Sequence, residues 1–390
     1  MLTVACQATF ELAPDQSPLV AEPPPLDPVK DDDDERALVE PWGSPAPRKR
    51  RPEVVLVGHA HAPPGSQVTS LVARLGVGDF EKLAHVHGDS CFTRDGTLTA
   101  PVPFDRMPLR WDRAAGAPHD VNPVGVAMGK DAVADAQGRV FLPNVRPMGT
   151  SIRSRDEVVA PVGFGPLRPT WPSRIERLHR HAARWQPQRW ADQPLPADFD
   201  YAYFNVAPAD QVLDSLGRNE RILLDHLHPR LPRLRTELAP VAPCVVVALA
   251  GAETDVAVVC DTLVIDSDRG LAFQVWRGHL PLAHPQQEPV VFVSPGRIGA
   301  ISTGTHVAQS APDATAFLRP NAGSVADTLS CASLPLEPAL PFRPAAPGPP
   351  PAGPLLRTAV AEELADEDTE DTDDGDPPTL RRAAPQPLEG

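Results

Sequence analysis

Fifty prolines among 390 residues set the first limit on what this chain can fold into. A proline inside a helix removes a backbone hydrogen bond and clashes with the preceding turn, so a mainly helical protein is excluded. Strands joined by many rigid connections tolerate that density. Hydrophobic residues make up 42% of the chain, close to the globular average and enough for a core. The length suits one large domain or two ordinary ones. The expected fold is mainly β with a few helices, a β-rich α+β arrangement of antiparallel sheets.

The runs "LTVACQATFEL", "EVVLVGHAHAP", "QVTSLVARLGVG" and "FEKLAHVHGDSCFT" read as strands, with Leu2, Val4 and Cys6 on one side of the first. In "RDGTL" an Asp-Gly turn closes a hairpin that its flanks do not identify. From Ala100 to Arg174 prolines and glycines recur every few residues, which implies mostly irregular backbone. "WPSRIERLHRHAARW" predicts the best helix, with Ser173 as N-cap and Glu176 completing a capping box. "ADQVLDSLG" predicts a shorter one. "PCVVVALAG", "TDVAVVCDTLVIDSD", "LAFQVWRGHLPL" and "PVVFVSP" suggest a late antiparallel meander.

Composition divides the chain further. Residues 1–295 form the expected β-rich domain, with a charged insertion loop over 27–53. Its acidic block (Asp31 to Glu35) and basic block (Arg48 to Arg51) both read as solvated. Residues 296–335 form an irregular linker, and 336–390 a proline-rich, acidic tail expected to be disordered.

A formal charge of −15 argues against general nucleic-acid binding, which requires cations to displace phosphate counterions. No apolar run approaches the roughly twenty residues that span a bilayer, and the N-terminus lacks the basic start of a signal peptide. Five scattered cysteines without C-x-x-C spacing favour neither a disulfide framework nor a zinc ribbon. The expectation is a cytoplasmic protein with reduced thiols, outside the membrane.

Chemistry-bearing patterns are sparse. Four His-x-His pairs occur: His59/His61, His85/His87, His179/His181 and His226/His228. On a strand such a pair shares one face and can chelate zinc, but nothing at convincing spacing completes a site, so no metal is expected. Asp261, Asp266 and Asp268 in "CDTLVIDSD" lack calcium-loop spacing and read as solvated turn carboxylates. Neither a phosphate-binding glycine loop nor a G-x-S-x-G elbow is present. No cofactor and no catalytic residue is therefore expected. Trp276 and Arg277 are the residue types that carry interface energy when desolvated; core tryptophan with surface arginine is an equal reading. "WDRAAGAPHDVNPVG", from Trp111 to Gly125, concentrates conformationally special residues and could be an active-site loop, a recognition loop or a corner.

Taken in order, "TFEL" (9–12), "RRPEVVLVGHAHAP" (50–63), "HVHGDS" (85–90), "PFDRMPLRWDRAAG" (103–116), "NPVG" (122–125), "LPN" (142–144), "PVGFGPLRPTWPSR" (161–174), "DFDYAYFNVAPADQ" (198–211) and "VWRG" (275–278) resemble the bacterial domain-of-unknown-function family 2169. The resemblance covers about residues 1–295; where the family usually reads "RAFGG", this chain has Arg113 to Ala117 as "RAAGA". It implies a role in type VI secretion, where some members are adaptors that load a toxic effector onto the VgrG spike, often with a PAAR tip protein. It also implies that Trp111 to Gly125 is a family-defining corner. On this reading the protein is not an enzyme, and Trp111, Arg113, Asn122, Trp276 and Arg277 are candidate contacts for the effector. A hydrolase with dispersed Asp and His residues, or a structural component of the secretion apparatus, are the competing expectations.

Overall fold

The structure, a computed structural model, describes residues 1–20, 46–178, 181, 195–249, 251–283 and 289–296, with the backbone of 357–362. The acidic block, His179, the 297–335 linker and most of the tail lie outside the described residues.

The central element is a five-stranded sheet in the order β18 (Arg357–Glu362), β1 (Leu2–Glu11), β16 (Leu271–Leu280), β15 (Val258–Asp266) and β3 (Glu53–Val57). All its pairs are antiparallel except β15 with β3. One face packs against two further sheets placed end to end. Ala8, Phe10, Val54, Leu56, Leu263, Ile265 and Trp276 share the main core with a six-stranded sheet. That sheet has the order β10 (Val145–Arg146), β6 (Phe80–His87), β5 (Ser70–Val77), β11 (Arg221–Asp225), β12 (Arg233–Leu238) and β2 (Asp15–Ser17). Leu2, Val4 and Cys6, farther back on the same face of β1, pack instead with Val245, Val247 and Val256. Those valines belong to a three-stranded sheet of β14 (Ala252–Val256), β13 (Ala242–Leu249) and β17 (Val290–Gly296).

The opposite face is covered by irregular chain. Val206 and Ala207 lie on Val55, Val57, Val264 and Phe273, and a separate aromatic cluster joins Ala46, Leu178, Phe199, Tyr203 and Phe204. Covering both faces explains why β3 is an unbroken buried run with no polar alternation. Two small ladders complete the architecture: β4 (His59–His61) with β8 (Arg106–Pro108), and β7 (Cys91–Phe92) with β9 (Val140–Phe141). No helix among the described residues is long and apolar enough to cross a membrane.

The mainly β, largely antiparallel reading holds, with several local corrections. "EVVLVGHAH" is two strands, because Gly58 at φ +108° takes a conformation other residues resist and turns β4 out of the sheet. The late meander is divided: β13, β14 and β17 form one sheet while β15 and β16 join another. The Asp95-Gly96 turn closes a small hairpin, with the Thr93 N–H donating to the Thr97 carbonyl at 2.9 Å. Of the best helix, α1 (Pro172–Leu178) is present. It starts two residues earlier than expected: the Trp171 carbonyl accepts from Arg174 and Ile175 N–H, so proline takes the first helical position and Ser173 is not the cap. "ADQVLDSLG" gives only a 3₁₀ turn at Ala209–Gln211. The buried Gln211 amide donates to the carbonyls of Val54 and Phe164, and Leu213 N–H donates to Pro52, drawing the chain out along β3. Within the tail, Arg357–Glu362 pairs with β1.

Candidate functional site

The corner from Trp111 to Gly125 is built from backbone requirements. Trp111–Arg113 form one 3₁₀ turn. The Trp111 indole sits in the main core, its N–H donating to the Gly165 carbonyl at 3.0 Å, with the Trp171 ring 5.6 Å away. Asn122 is 0% exposed, and its amide nitrogen donates to the carbonyls of Trp111 and Ala115, both at 2.8 Å. Gly116 and Gly125 pass back to back, so that a Cβ on Gly116 would stand 2.5 Å from the Gly125 carbonyl. Two ladder-like bonds close the crossing, Gly116 N–H to Val126 at 2.7 Å and Val126 N–H to Ala114 at 2.8 Å. The residues that look special in sequence satisfy carbonyls and permit this close approach. What the corner turns outward is apolar: Val121 is 60% and Val124 48% exposed. The Val121 carbonyl is held by the Trp171 indole N–H at 2.8 Å, and Ile175, one turn beyond Trp171 on α1, is also exposed.

Behind the central sheet lies a buried charged cluster. Arg277 donates to the Asp261 carboxylate and, at 3.0 Å, to the Ala46 carbonyl. A register shift between Cys260 and Thr262 is the bulge that carries Asp261. The Thr262 hydroxyl donates to Asp261 at 2.8 Å and accepts from Lys49 at 2.6 Å. Lys49 also pairs with Glu53, whose other oxygen accepts from Asn205 at 3.1 Å and from Ala207 N–H at 2.9 Å. Burial pulls the Lys49 ammonium below its ordinary pKa, opposed by the Glu53 carboxylate. Arg174 lies over the Tyr203 ring and donates to the carbonyls of Tyr203 and Leu167. Nearby, Lys82 ties β6 to the covering chain by donating to Gly163, Asp210 and Gln211.

A smaller group forms where β4 meets the β15–β16 turn. His59 Nδ1 lies 2.9 Å from Asp268 and His61 Nε2 lies 3.4 Å from the same carboxylate. His228 Nδ1 accepts from the N–H groups of Arg230 and Leu231, which fixes it as an acceptor and removes that nitrogen from metal binding. Among the described residues no group of three or more His, Cys, Asp and Glu is arranged to hold a metal.

Four of the five sequence-selected contact residues therefore face inward. Trp111, Asn122, Trp276 and Arg277 are buried; Arg113 alone is substantially open, 40% exposed and 3.4 Å from both Asp89 and Asn144. Trp276 and Arg277, adjacent on β16, point to opposite faces, one into the main core and one into the charged cluster. Two further expectations are corrected. Asp261 and Asp266 are buried rather than solvated; Asp266 accepts from the N–H groups of Asp268 and Arg269 and from the Arg269 side chain. The basic block is not wholly solvated either, because Lys49 is enclosed between Glu53 and Thr262. Glu53, Lys82, Arg174, Asn205 and Gln211 carry no motif that marks them in the sequence. Their one sequence signal is position: a charged or amide residue in or beside an apolar run.

A family model described as "uncharacterized protein conserved in bacteria (DUF2169)" matches residues 1–277. No curated protein and no solved structure matches the chain.

Proposed function

The chain belongs to the DUF2169 family, and from that membership we propose that it is a non-enzymatic adaptor of type VI secretion. In this reading it binds an effector in the cytoplasm and delivers it to the VgrG/PAAR spike. The observation that carries the reading is the corner: rigid, family-marked backbone presenting Val121, Val124 and the adjoining Ile175 to solvent. Exposed apolar surface of that kind on a stiff support suits a protein partner, since it favours desolvating contacts. The buried members of the selected set then act by holding the corner and β16 in shape.

The hydrolase reading would rest on the His59–Asp268 pair. Among the described residues no hydroxyl or thiol is hydrogen-bonded to the other ring nitrogen of His59, so nothing there marks a covalent nucleophile.

The test is co-purification with the effector encoded beside the nearest spike gene, comparing the wild-type chain with Val121→Asp/Val124→Asp. The adaptor reading expects at least about a tenfold loss of binding, equivalent to ~1.4 kcal/mol, with unchanged melting. A folded double variant that binds undiminished excludes this surface. Deleting the gene should stop export of that one effector; loss of all export would instead identify a structural component of the apparatus.

A further inference from the structure

The outer edge of β1 is shared between two pieces of chain. Its C-terminal part is covered locally: Val20 N–H donates to Thr9 and Glu11 N–H donates to Pro18, at 2.8 and 3.1 Å. The rest, Leu2 to Gln7, pairs with β18 over six residues, from Leu2 opposite Glu362 to Gln7 opposite Arg357. Among the described residues, nothing within the family-matched 1–277 pairs with that part of the edge. Without β18, the described residues of this chain present a six-residue strip along Leu2–Gln7 whose outward N–H and C=O groups are unpaired, the arrangement that accepts an added strand. In this chain the strip is filled from far along the sequence, by a segment joined to β17 through residues 297–356.

We propose that the Leu2–Gln7 edge is a strand-docking site for an extended segment of the effector, and that Arg357–Glu362 is its built-in competitor. The proposal rests on the adaptor reading for the identity of the partner, and on the register for the site. Thr9 and Glu11 direct their backbone groups away from β16, so by alternation Thr3, Ala5 and Gln7 do the same. The narrow pairs they form with β18 involve Ala361, Ala359 and Arg357. The partner must then be an extended segment of about six residues without proline at the positions opposite Thr3 and Ala5. A strand tethered by a long connection holds such an edge through effective concentration alone, and a free strand at higher concentration or with better contacts displaces it.

The experiment uses the full chain and a synthetic peptide of residues 355–364. Ala359→Pro/Ala361→Pro removes the two N–H groups that donate to β1, while Ala359→Ser/Ala361→Ser keeps them. Hydrogen exchange at Thr3, Ala5 and Gln7 should accelerate about tenfold or more in the proline variant alone, and the added peptide should restore protection. By fluorescence anisotropy the labelled peptide should bind the proline variant at least about tenfold more tightly than the wild type, whose own tail competes. Equal exchange in the proline and wild-type chains, or equal peptide binding, overturns the proposal. A wild-type dimer held by exchanged tails, detected by light scattering, overturns the intramolecular assignment. An effector that binds wild-type and proline chains equally leaves the adaptor standing and removes the docking edge. One that binds neither removes the adaptor reading, while the peptide result stands by itself.

Discussion

Arg113 and Arg277 look equivalent in sequence, each one or two residues after a tryptophan, and their surroundings separate them completely. Arg277 has a side chain 5% exposed against Asp261 at 10%, with the Ala46 carbonyl as a second acceptor. Arg277→Ala leaves a buried carboxylate without its partner and is expected to destabilise the chain by about 3–5 kcal/mol. Arg113→Ala removes only a half-exposed contact and should change stability by less than about 1 kcal/mol. Urea unfolding of the two variants checks this directly: an Arg277→Ala protein as stable as wild type would mean that Asp261 finds another donor. The sequence exposed the residue types but not this difference, because burial is decided by what crosses above the strand. Segment 46–53 supplies that cover through Ala46 and Lys49, and it lies more than two hundred positions away in the chain. Asn122 is the converse case. Its place before proline suggests a turn, and it does sit in one, yet its main role is to satisfy two carbonyls of the neighbouring strand of chain.

At the level of elements, period-2 patterns were legible wherever one strand faces one core. β1, β5, β6, β13, β15 and β16 all fall inside runs that alternate or carry β-branched residues. Partnership was not legible, since the meander implied by consecutive strands is broken at Ala257, where the chain leaves the three-stranded sheet for the five-stranded one. Gly278 marks that crossing from the other side. A Cβ there would stand 2.7 Å from a Val256 methyl and 2.8 Å from the Ala257 carbonyl, so the glycine of "VWRG" exists to let two layers touch. Gly278→Ala should therefore lower stability by roughly 1–3 kcal/mol through overpacking against backbone. Thermal melting tests it, and an unchanged midpoint would show that β14 can shift aside freely. Helix prediction failed at "ADQVLDSLG" for a related reason: local propensity could not reveal that Gln211 is claimed by the carbonyls of Val54 and Phe164.

At the scale of the whole molecule, the histidines with resolved shifts among the described residues all move in one direction. Burial is the first cause for His85, His87, His228 and His279, each lowered from the ordinary histidine value, with His87 brought down to about 4 by burial together with Arg146 and His85. A folded pKa below the unfolded value means the unfolded chain binds more protons, so stability is complete above about pH 6.5 and declines as pH falls toward 4. Melting temperature should accordingly drop between pH 7 and pH 5, and His87→Gln should flatten that slope; a slope identical in the variant would assign the effect to the other three histidines. The same long-range wiring that hides function in the sequence also governs how the chain is made. Leu2 is paired with Leu280 and Glu11 with Leu271, so β1, once synthesised, cannot find its central neighbour until the ribosome has passed that point. At ordinary elongation rates that is a wait on the order of tens of seconds. Throughout it Leu2, Val4, Cys6 and Phe10 have no finished core to enter, and the nascent chain depends on holding factors or its own provisional collapse. Any ribosomal stall or nonsense truncation before Leu271 therefore releases a fragment with β1 lacking its β16 partner, prone to aggregate rather than to form a smaller working domain.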